Sequence, residues 1–242
     1  MSETMDVHRE SRDFVREMKF LITPERAADM ESWARAHMVP DPHAAGPAGD
    51  EYQVTSLYLD TPDFAVYSRR GSHGRSKYRV RRYGESDLLF LERKLKTGDR
   101  VGKLRSLIPA ETLPLLDHAG SPADWPGHWF HKRVEVRQLR PVCRISYQRM
   151  ARLAGSPSGP IRLTVDRALS AEPIASYAFH PPVQTTELLP GQCVLELKYR
   201  GELPGLFKQL LQEFPLRPQG SSKYRAAVLA LELTQGALCL SS

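Results

Sequence analysis

Basic residues occupy every second position in several short segments of this chain. Lys77, Arg79 and Arg81 alternate in SKYRVRRY, and Lys103 and Arg105 alternate in VGKLRSLIP. Side chains of a β-strand point alternately to its two faces, so the residues of each set would share one face. Several such strands in one sheet would form a basic face, and this arrangement predicts a polyanionic ligand.

Glutamate residues alternate with lysines in three places. The pairs, each two residues apart, are Glu17 with Lys19, Glu92 with Lys94, and Glu196 with Lys198. Each carboxylate could hold a divalent metal or could neutralise its lysine. An ion pair is the simpler interpretation of any single pair, whereas the repetition favours a metal-binding role, for which Glu17 and Glu196 are the first candidates and Glu92 is the next.

The net charge of the chain is positive. Its 242 residues include 34 lysines and arginines and 28 aspartates and glutamates, which gives a formal charge of +6. This excess fits a phosphate-rich small ligand, but it also fits nucleic acid or an anionic membrane surface. The length and a hydrophobic content of 41% predict a single domain over residues 1–242, with its core at about 16–234.

The sequence predicts neither a membrane segment nor a secretory signal. No apolar run approaches the ~20 residues that span a bilayer, and the N-terminal stretch MSETMDVHRESRDF is polar. Cys143, Cys193 and Cys239 fit neither a metal spacing nor a disulfide framework, so free buried thiols are predicted. These features together predict a cytoplasmic location.

Hydrophobic periodicity and turn residues predict an α+β fold with mainly antiparallel strands. Strands are predicted at 16–22, 52–59, 75–83, 87–96, 101–108, 133–139, 141–153, 161–169, 174–179 and 192–199. Helices are predicted at 24–38 after an N-cap at Thr23, at 203–214 and at 221–233, with a short one after Asp60. Short links between consecutive strands indicate hairpins, so the strands should form an antiparallel β-barrel or a strongly curved sheet with peripheral helices.

A barrel of these strands would turn the alternating basic residues toward its interior. The residues concerned are Lys19, Arg79, Arg81, Lys94, Lys103, Arg105 and Lys198. Like charges in an interior repel one another, and each costs several kcal/mol to desolvate if it is unpaired. The arrangement persists only if water or anions occupy the cavity. Because arginine binds phosphate oxygens bidentately and lysine acts as a point charge, a chain of phosphates is the expected ligand.

Nine short motifs, in order along the chain, resemble those of the triphosphate tunnel metalloenzymes of the CYTH-like superfamily. Among these proteins, the chain resembles the VTC domain, the catalytic domain of the vacuolar transporter chaperone polyphosphate polymerase. The motifs are REMKF at 16–20, TSLYLDTPD at 55–63, KYRVRRY at 77–83, FLERK at 90–94, KLR at 103–105, SYQR at 146–149, IRLTVD at 161–166, LELK at 195–198 and SKY at 222–224. They span about residues 16–228, and their number and order make the resemblance specific.

The resemblance implies an antiparallel β-tunnel lined by lysine, arginine and glutamate. The residues it implies as catalytic are Lys19, Arg79, Arg81, Lys94, Lys198 and Glu196. The residues it implies as substrate-binding are Lys103, Arg105, Tyr147, Arg149, Arg162, Ser222 and Lys223. Glu196, together with Glu17, would hold Mn²⁺ or Mg²⁺.

One position departs from the pattern of related hydrolases. Many tunnel enzymes that hydrolyse triphosphate carry Glu-x-Glu-x-Lys on the first strand, and here Val15 stands in place of the first glutamate. The resemblance therefore favours a polymerase that transfers the γ-phosphoryl group of ATP, or of another nucleoside triphosphate, to polyphosphate. A tripolyphosphatase or nucleoside triphosphatase is one alternative, and a non-catalytic module that binds polyphosphate or nucleotide is another.

Nucleic acid is not an expected partner. RNA recognition favours aromatic side chains interleaved with basic ones on the same face, where they can stack on bases. Tyr78, however, falls on the opposite face of its strand from Arg79 and Arg81. This spacing favours a phosphate-binding wall over a stacking platform.

Two aspartates lie within or beside these motifs. Asp166 could assist a metal, or it could pair with Arg162 or Arg167. Asp60 precedes Thr-Pro, and its simplest interpretation is a turn or cap residue.

Overall fold

The structure, a computed structural model, describes residues 11–42, 44, 49–97 and 100–235. The strands within these residues are β1 (Ser11–Ile22), β2 (Val39–Pro40), β3 (Glu51–Asp60), β4 (Ser76–Tyr83), β5 (Leu88–Thr97), β6 (Arg100–Pro109), β7 (Arg140–Ala154), β8 (Ile161–Pro173), β9 (Thr186–Glu187) and β10 (Cys193–Tyr199). The α-helices are α1 (Pro24–His37), α2 (His128–Val136), α3 (Gly205–Glu213) and α4 (Lys223–Ala230). Short 3₁₀ helices occupy Gly71–His73 and Ala110–Asp117.

Eight of the strands close into a barrel. Neighbouring strands follow the order β7-β3-β4-β5-β6-β1-β10-β8, and a further pairing between β8 and β7 completes the ring. The two-residue strands β2 and β9 pair with β7 and β8 respectively. Every pairing in the barrel is antiparallel. The predicted α+β class, an antiparallel β-barrel tunnel with peripheral helices, is confirmed.

Alternation along β4 separates a charged interior from an apolar exterior. Tyr78 is fully buried, and its ring packs edge-on against Phe130 of α2 with the ring centroids 6.1 Å apart. Arg79 and Arg81 point the other way, into the barrel. The period of two read from the sequence therefore places the basic residues on the inner face, as predicted.

Helix α1 covers one side of the barrel. Thr23 caps it by accepting a hydrogen bond from the backbone N–H of Arg26 at 3.4 Å, and Pro24 occupies the first turn, as predicted. Its apolar face packs against β7, β8 and β10 and consists of Ala27, Met30, Trp33 and Ala34. None of the helices in the described part of the chain is long and apolar enough to cross a membrane.

The predicted strand at 133–139 is wrong, because helix α2 continues through Val136. Val134 is 7% exposed, whereas Val136 is 80% exposed. The spacing of two residues between Val134 and Val136 fits a strand, but a helix can also accommodate it with only Val134 buried. The four-residue spacing from Phe130 to Val134 places both side chains on the core, so helical packing prevails over alternation.

Two other predicted elements are also wrong. Residues 174–179 form bends and coil, from which Tyr177 packs into the core. The segment after Asp60 forms turns in place of a helix. The reason is local, because the carboxylate of Asp60 accepts the backbone N–H groups of Val66 and Tyr67 and holds the chain in a tight loop.

Candidate functional site

A polar cavity lies inside the barrel, and its walls carry more positive than negative side chains. The eight cations are Lys19, Lys77, Arg79, Arg81, Lys94, Arg149, Lys198 and Lys223. The other lining residues are two carboxylates, Glu17 and Glu196, with Tyr58, Tyr147, Ser222 and Tyr224. An excess of enclosed positive charge requires water or a compensating anion in the cavity.

Strands β1 and β10 bring alternating charges together in one wall. Their register places Glu17 opposite Lys198, and Lys19 opposite Glu196. The ammonium of Lys19 lies 3.7 Å from a carboxylate oxygen of each glutamate, and that of Lys198 lies 2.7 Å from Glu196 Oε1. Lys94 of β5 reaches Glu17 Oε2 at 2.7 Å. Each carboxylate is therefore shared between lysines.

Burial and charge shift the pKa values of these groups in a consistent way. Burial opposes ionisation of Glu17, but its lysine neighbours outweigh burial and hold the pKa of Glu17 well below its usual range. Burial lowers the pKa of Lys19 well below its usual range, and that of Lys198 to about 8. It also lowers the pKa of Lys77 to about 8. Near pH 8, Lys77 and Lys198 are therefore close to their titration midpoints.

A fully buried carboxylate, Glu92, anchors the adjoining wall. Its Oε2 accepts a hydrogen bond from Arg79 Nε at 2.6 Å, and its Oε1 accepts one from Arg105 Nε at 2.8 Å. Lys103 also forms an ion pair with Oε1. Burial opposes ionisation of Glu92, but these cations keep its pKa well below the usual range. Lys103 and Arg105, which the resemblance implies as substrate-binding, thus contact Glu92 and lie outside the cavity lining that the described residues form.

A second buried carboxylate, Asp166, holds two of the cavity cations. Arg149 binds it bidentately at 2.6 and 2.7 Å, and the ammonium of Lys223 lies 2.6 Å from Oδ2. The predicted pairing of Asp166 with Arg162 or Arg167 is wrong. The register between β7 and β8 places Arg149 directly opposite Asp166, after an irregularity in the pairing that the sequence does not reveal.

Arg162, implied as substrate-binding, also lies outside the cavity lining among the described residues. Its Nη2 lies 2.6 Å from both Asp41 Oδ2 and the hydroxyl of Tyr52. Arg167 forms its ion pair with Glu31.

Arg81 and Tyr147 meet in the wall formed by β4, β3 and β7. Arg81 Nη2 donates to the hydroxyl of Tyr147 at 3.1 Å, and its Nε donates to Ser56 Oγ at 3.0 Å. The charged groups of Arg149 and Lys223 lie 5.2 and 4.8 Å from the centre of the Tyr147 ring. Tyr147 therefore contacts three cavity cations through its hydroxyl and its ring.

A family model for the VTC domain matches residues 14–232 of the chain. The chain belongs to the VTC domain family. The match includes β10, which carries Glu196 and Lys198, and α4, which carries Lys223 and is capped by Ser222. No curated protein matches the sequence.

Two solved structures resemble the barrel of this VTC domain. A candidate adenylate cyclase from Bacillus halodurans gives a TM-score of 0.52 at 15% identity, over 87% of this chain and 94% of that chain. A candidate adenylyl cyclase from Hippeastrum, which has a dominant triphosphatase activity, gives a TM-score of 0.52 at 14% identity, over 90% of this chain and 96% of that chain. The likeness shows the fold alone, and with the family match it confirms the predicted triphosphate tunnel fold of the CYTH-like superfamily.

Three lining residues of the VTC domain fall outside the predicted set, namely Tyr58, Lys77 and Tyr224. Lys77 shares the alternation of strand β4, so the sequence did contain a signal for it. Its ammonium donates to Ser222 Oγ at 2.7 Å. The two tyrosines lie in the TSLYLDTPD and SKY motifs, but their stacking on each other depends on how α4 docks against β3.

The carboxylates of Glu17 and Glu196 could hold a divalent cation in the VTC domain. Magnesium is commonly bound by one or two carboxylates together with substrate phosphates and waters. The described residues contain no group of three or more His, Cys, Asp or Glu side chains arranged for a metal. The two carboxylates therefore fit a cation that is shared with phosphate oxygens, and they do not form a complete site by themselves.

Proposed function

We propose that this VTC domain is a metal-dependent polyphosphate polymerase, which transfers the γ-phosphoryl group of ATP to a polyphosphate chain. One observation carries the proposal: eight cations and two carboxylates face a cavity inside a closed barrel. Because the cations exceed the carboxylates by six, the cavity favours ligands that carry several negative charges.

The placement of the cations favours a linear phosphate chain over other polyanions. They come from five different strands and from α4, so they surround the cavity. A ligand contacted from all sides must be narrow and charged along its length. The interior of an eight-stranded barrel holds side chains or one small ligand, which excludes a duplex or a membrane surface.

Transfer in this site depends on positioning and electrostatics. An oxygen of the acceptor's terminal phosphate attacks the γ-phosphorus in line, the bond from that phosphorus to the β–γ bridging oxygen breaks, and ADP leaves. The acceptor is already an anion, so no strong general base is needed. Arg79, fixed by Glu92, and Arg81, fixed by Tyr147, remain in place as negative charge develops on the leaving oxygen.

A divalent cation held by Glu196 and Glu17 would neutralise charge on the phosphate oxygens and align them. Lys19 and Lys198 each lie within 4 Å of both glutamates, so they can exchange a carboxylate for a phosphate oxygen with a small movement.

A triphosphatase that uses the same cavity is the second candidate. The Hippeastrum protein with this fold has a dominant triphosphatase activity. Water would then take the place of the acceptor chain. Val15 stands where many hydrolases of this fold have a further carboxylate, and this difference favours transfer to phosphate over hydrolysis.

The test is to incubate the purified protein with ATP and either Mn²⁺ or Mg²⁺, and to resolve long-chain polyphosphate, free phosphate and ADP. Polyphosphate with a stoichiometric amount of ADP is expected. Glu196→Gln removes one carboxylate charge while keeping the shape of the side chain, so it should abolish turnover without loss of cooperative thermal unfolding. Glu187→Gln, in the exposed strand β9, is the matched control and should keep wild-type turnover.

Each other result has a defined meaning. Free phosphate without polyphosphate would assign the protein to the hydrolases. Turnover near the wild-type rate in Glu196→Gln would contradict the metal-binding role of Glu196. Tripolyphosphate binding without any turnover would favour a non-catalytic module.

A further inference from the structure

A buried aspartate at the end of β3 connects the last helix to the cavity. Asp60 is fully buried, and its Oδ1 accepts the backbone N–H groups of Thr61 at 2.7 Å and Val66 at 2.8 Å. Its Oδ2 accepts the N–H of Tyr67 at 2.9 Å. The hydroxyl of Tyr224 in α4 also donates to Oδ2. A carboxylate has about four acceptor sites, and these donors occupy them.

The donors to Asp60 differ in how far they lie along the chain. The backbone donors come from within seven residues of Asp60 and fold the turn that follows β3. The Tyr224 hydroxyl comes from 164 residues away, so it joins α4 to the barrel. Burial raises the pKa of Tyr224, and the charge of Asp60 raises it further. The hydroxyl therefore keeps its proton and remains a donor.

The first turn of α4 forms part of the cavity wall. Three consecutive residues, Ser222, Lys223 and Tyr224, line the cavity. Ser222 Oγ accepts from Lys77 Nζ, while Lys223 Nζ lies 2.6 Å from Asp166. Because helix backbone is rigid on this scale, fixing Tyr224 also fixes the backbone from which Lys223 and Ser222 extend.

The ring of Tyr224 provides a second connection to the cavity. It stacks on Tyr58 with centroids 5.4 Å apart and an interplanar angle of 12°. The hydroxyl of Tyr58 accepts from Arg79 Nη1 at 3.0 Å. Tyr224 therefore contacts Asp60 through its hydroxyl, and through its ring it packs on Tyr58, whose hydroxyl binds Arg79.

We propose that Asp60 is a positioning residue for polyanion binding, which acts through the hydroxyl of Tyr224 to hold Lys223 in the cavity wall. The inference rests on the proposed function in one respect, that the ligand is a chain of phosphates. Asp60 has no exposed surface and cannot touch the ligand. A lysine side chain has many rotamers, so its contribution to binding depends on the backbone that carries it.

A purely structural role for the contact leads to a different expectation. If Asp60 and Tyr224 only stabilised the fold, loss of the tyrosine hydroxyl would reduce the folded fraction and leave the affinity per folded molecule unchanged. If the contact positions Lys223, loss of the tyrosine hydroxyl lowers the affinity per folded molecule. That loss disappears in a protein that lacks the Lys223 side chain.

The experiment is calorimetric titration of tripolyphosphate into the wild type, Tyr224→Phe, Lys223→Ala and the double variant. Tyr224→Phe keeps the ring stack and should bind about tenfold more weakly, a loss within the range of residues that act on a site without touching the ligand. The double variant should bind no more weakly than Lys223→Ala alone, because the two effects are coupled. Tyr177→Phe is the matched control, since that buried hydroxyl has no hydrogen-bond partner among the described residues, and it should bind as the wild type does.

The outcomes separate this inference from the proposed function. Wild-type affinity in Tyr224→Phe would overturn the positioning role and leave the proposed function intact. Additive losses in the double variant would also overturn it, because the hydroxyl would then act independently of Lys223. A wild-type protein that binds no tripolyphosphate would overturn both.

Discussion

Binding of a phosphate chain should draw protons into the cavity. Burial lowers the pKa of both Lys77 and Lys198 to about 8. A polyanion beside these lysines favours their charged form and raises the pKa values again. Because each lysine is about half protonated at pH 8, charging both takes up about one proton per ligand bound.

Calorimetric titration of tripolyphosphate at pH 8, in two buffers of different ionisation enthalpy, measures the uptake directly. The ligand itself titrates, so the informative quantity is the difference between the wild type and Lys77→Met. The variant should take up about half a proton less than the wild type. Lys132→Met removes an exposed lysine of α2 and should leave the uptake unchanged.

The sign of the pH dependence follows from the same lysines. As pH rises through 8 they lose their charge in the free protein, so the affinity for the polyanion should fall, by about fivefold per lysine between pH 8 and pH 9. Equal proton uptake in the wild type and in Lys77→Met would refute the reasoning, because Lys77 would then be fully charged before binding. A ratio of wild-type affinity to Lys77→Met affinity that rises over this pH range would refute it as well.

Two further predictions concern stability. Glu92→Gln should lower the free energy of unfolding by about 3 kcal/mol, because it leaves Arg79, Lys103 and Arg105 without their shared carboxylate. Urea denaturation measures this free energy. A loss below about 1 kcal/mol would contradict the anchoring role of Glu92. Tripolyphosphate at ~100 times its dissociation constant should stabilise the protein by ~2.7 kcal/mol. Thermal denaturation would show this as a higher Tm, and an unchanged Tm at millimolar ligand would count against a ligand in the cavity.

The charged interior of the barrel was predictable because it has a simple local cause. In β4, Lys77, Arg79 and Arg81 are basic and Tyr78 and Val80 between them are apolar, so the two faces of this stretch differ in polarity wherever the strand lies. The same rule failed at 133–139. There Val134 and Val136 fit a strand pattern equally well, and only packing against the core decides for the helix.

The contacts within the site were less predictable because they join distant segments. The partner of Asp166 is Arg149 and not Arg162, since the register of β7 on β8 decides which side chains meet. Lys103 likewise forms an ion pair with Glu92 and does not line the cavity, because strand pairing decides which side chains it meets. Nothing near Tyr224 in the sequence indicates that its hydroxyl reaches Asp60. The roles of the site residues in binding and transfer stay predictions.

Because β1 pairs with β10, the barrel can close only after β10 has been synthesised. Glu17 and Lys198 face each other although they lie near opposite ends of the sequence. Pairings between distant segments form slowly, and synthesis delivers the N-terminal strand first. On the ribosome, strands β4, β5 and β6 can therefore assemble while β1 still lacks β10 on its other edge. A nascent chain stopped before β10 would carry most of its basic residues on an open sheet, with free edges and no enclosed cavity.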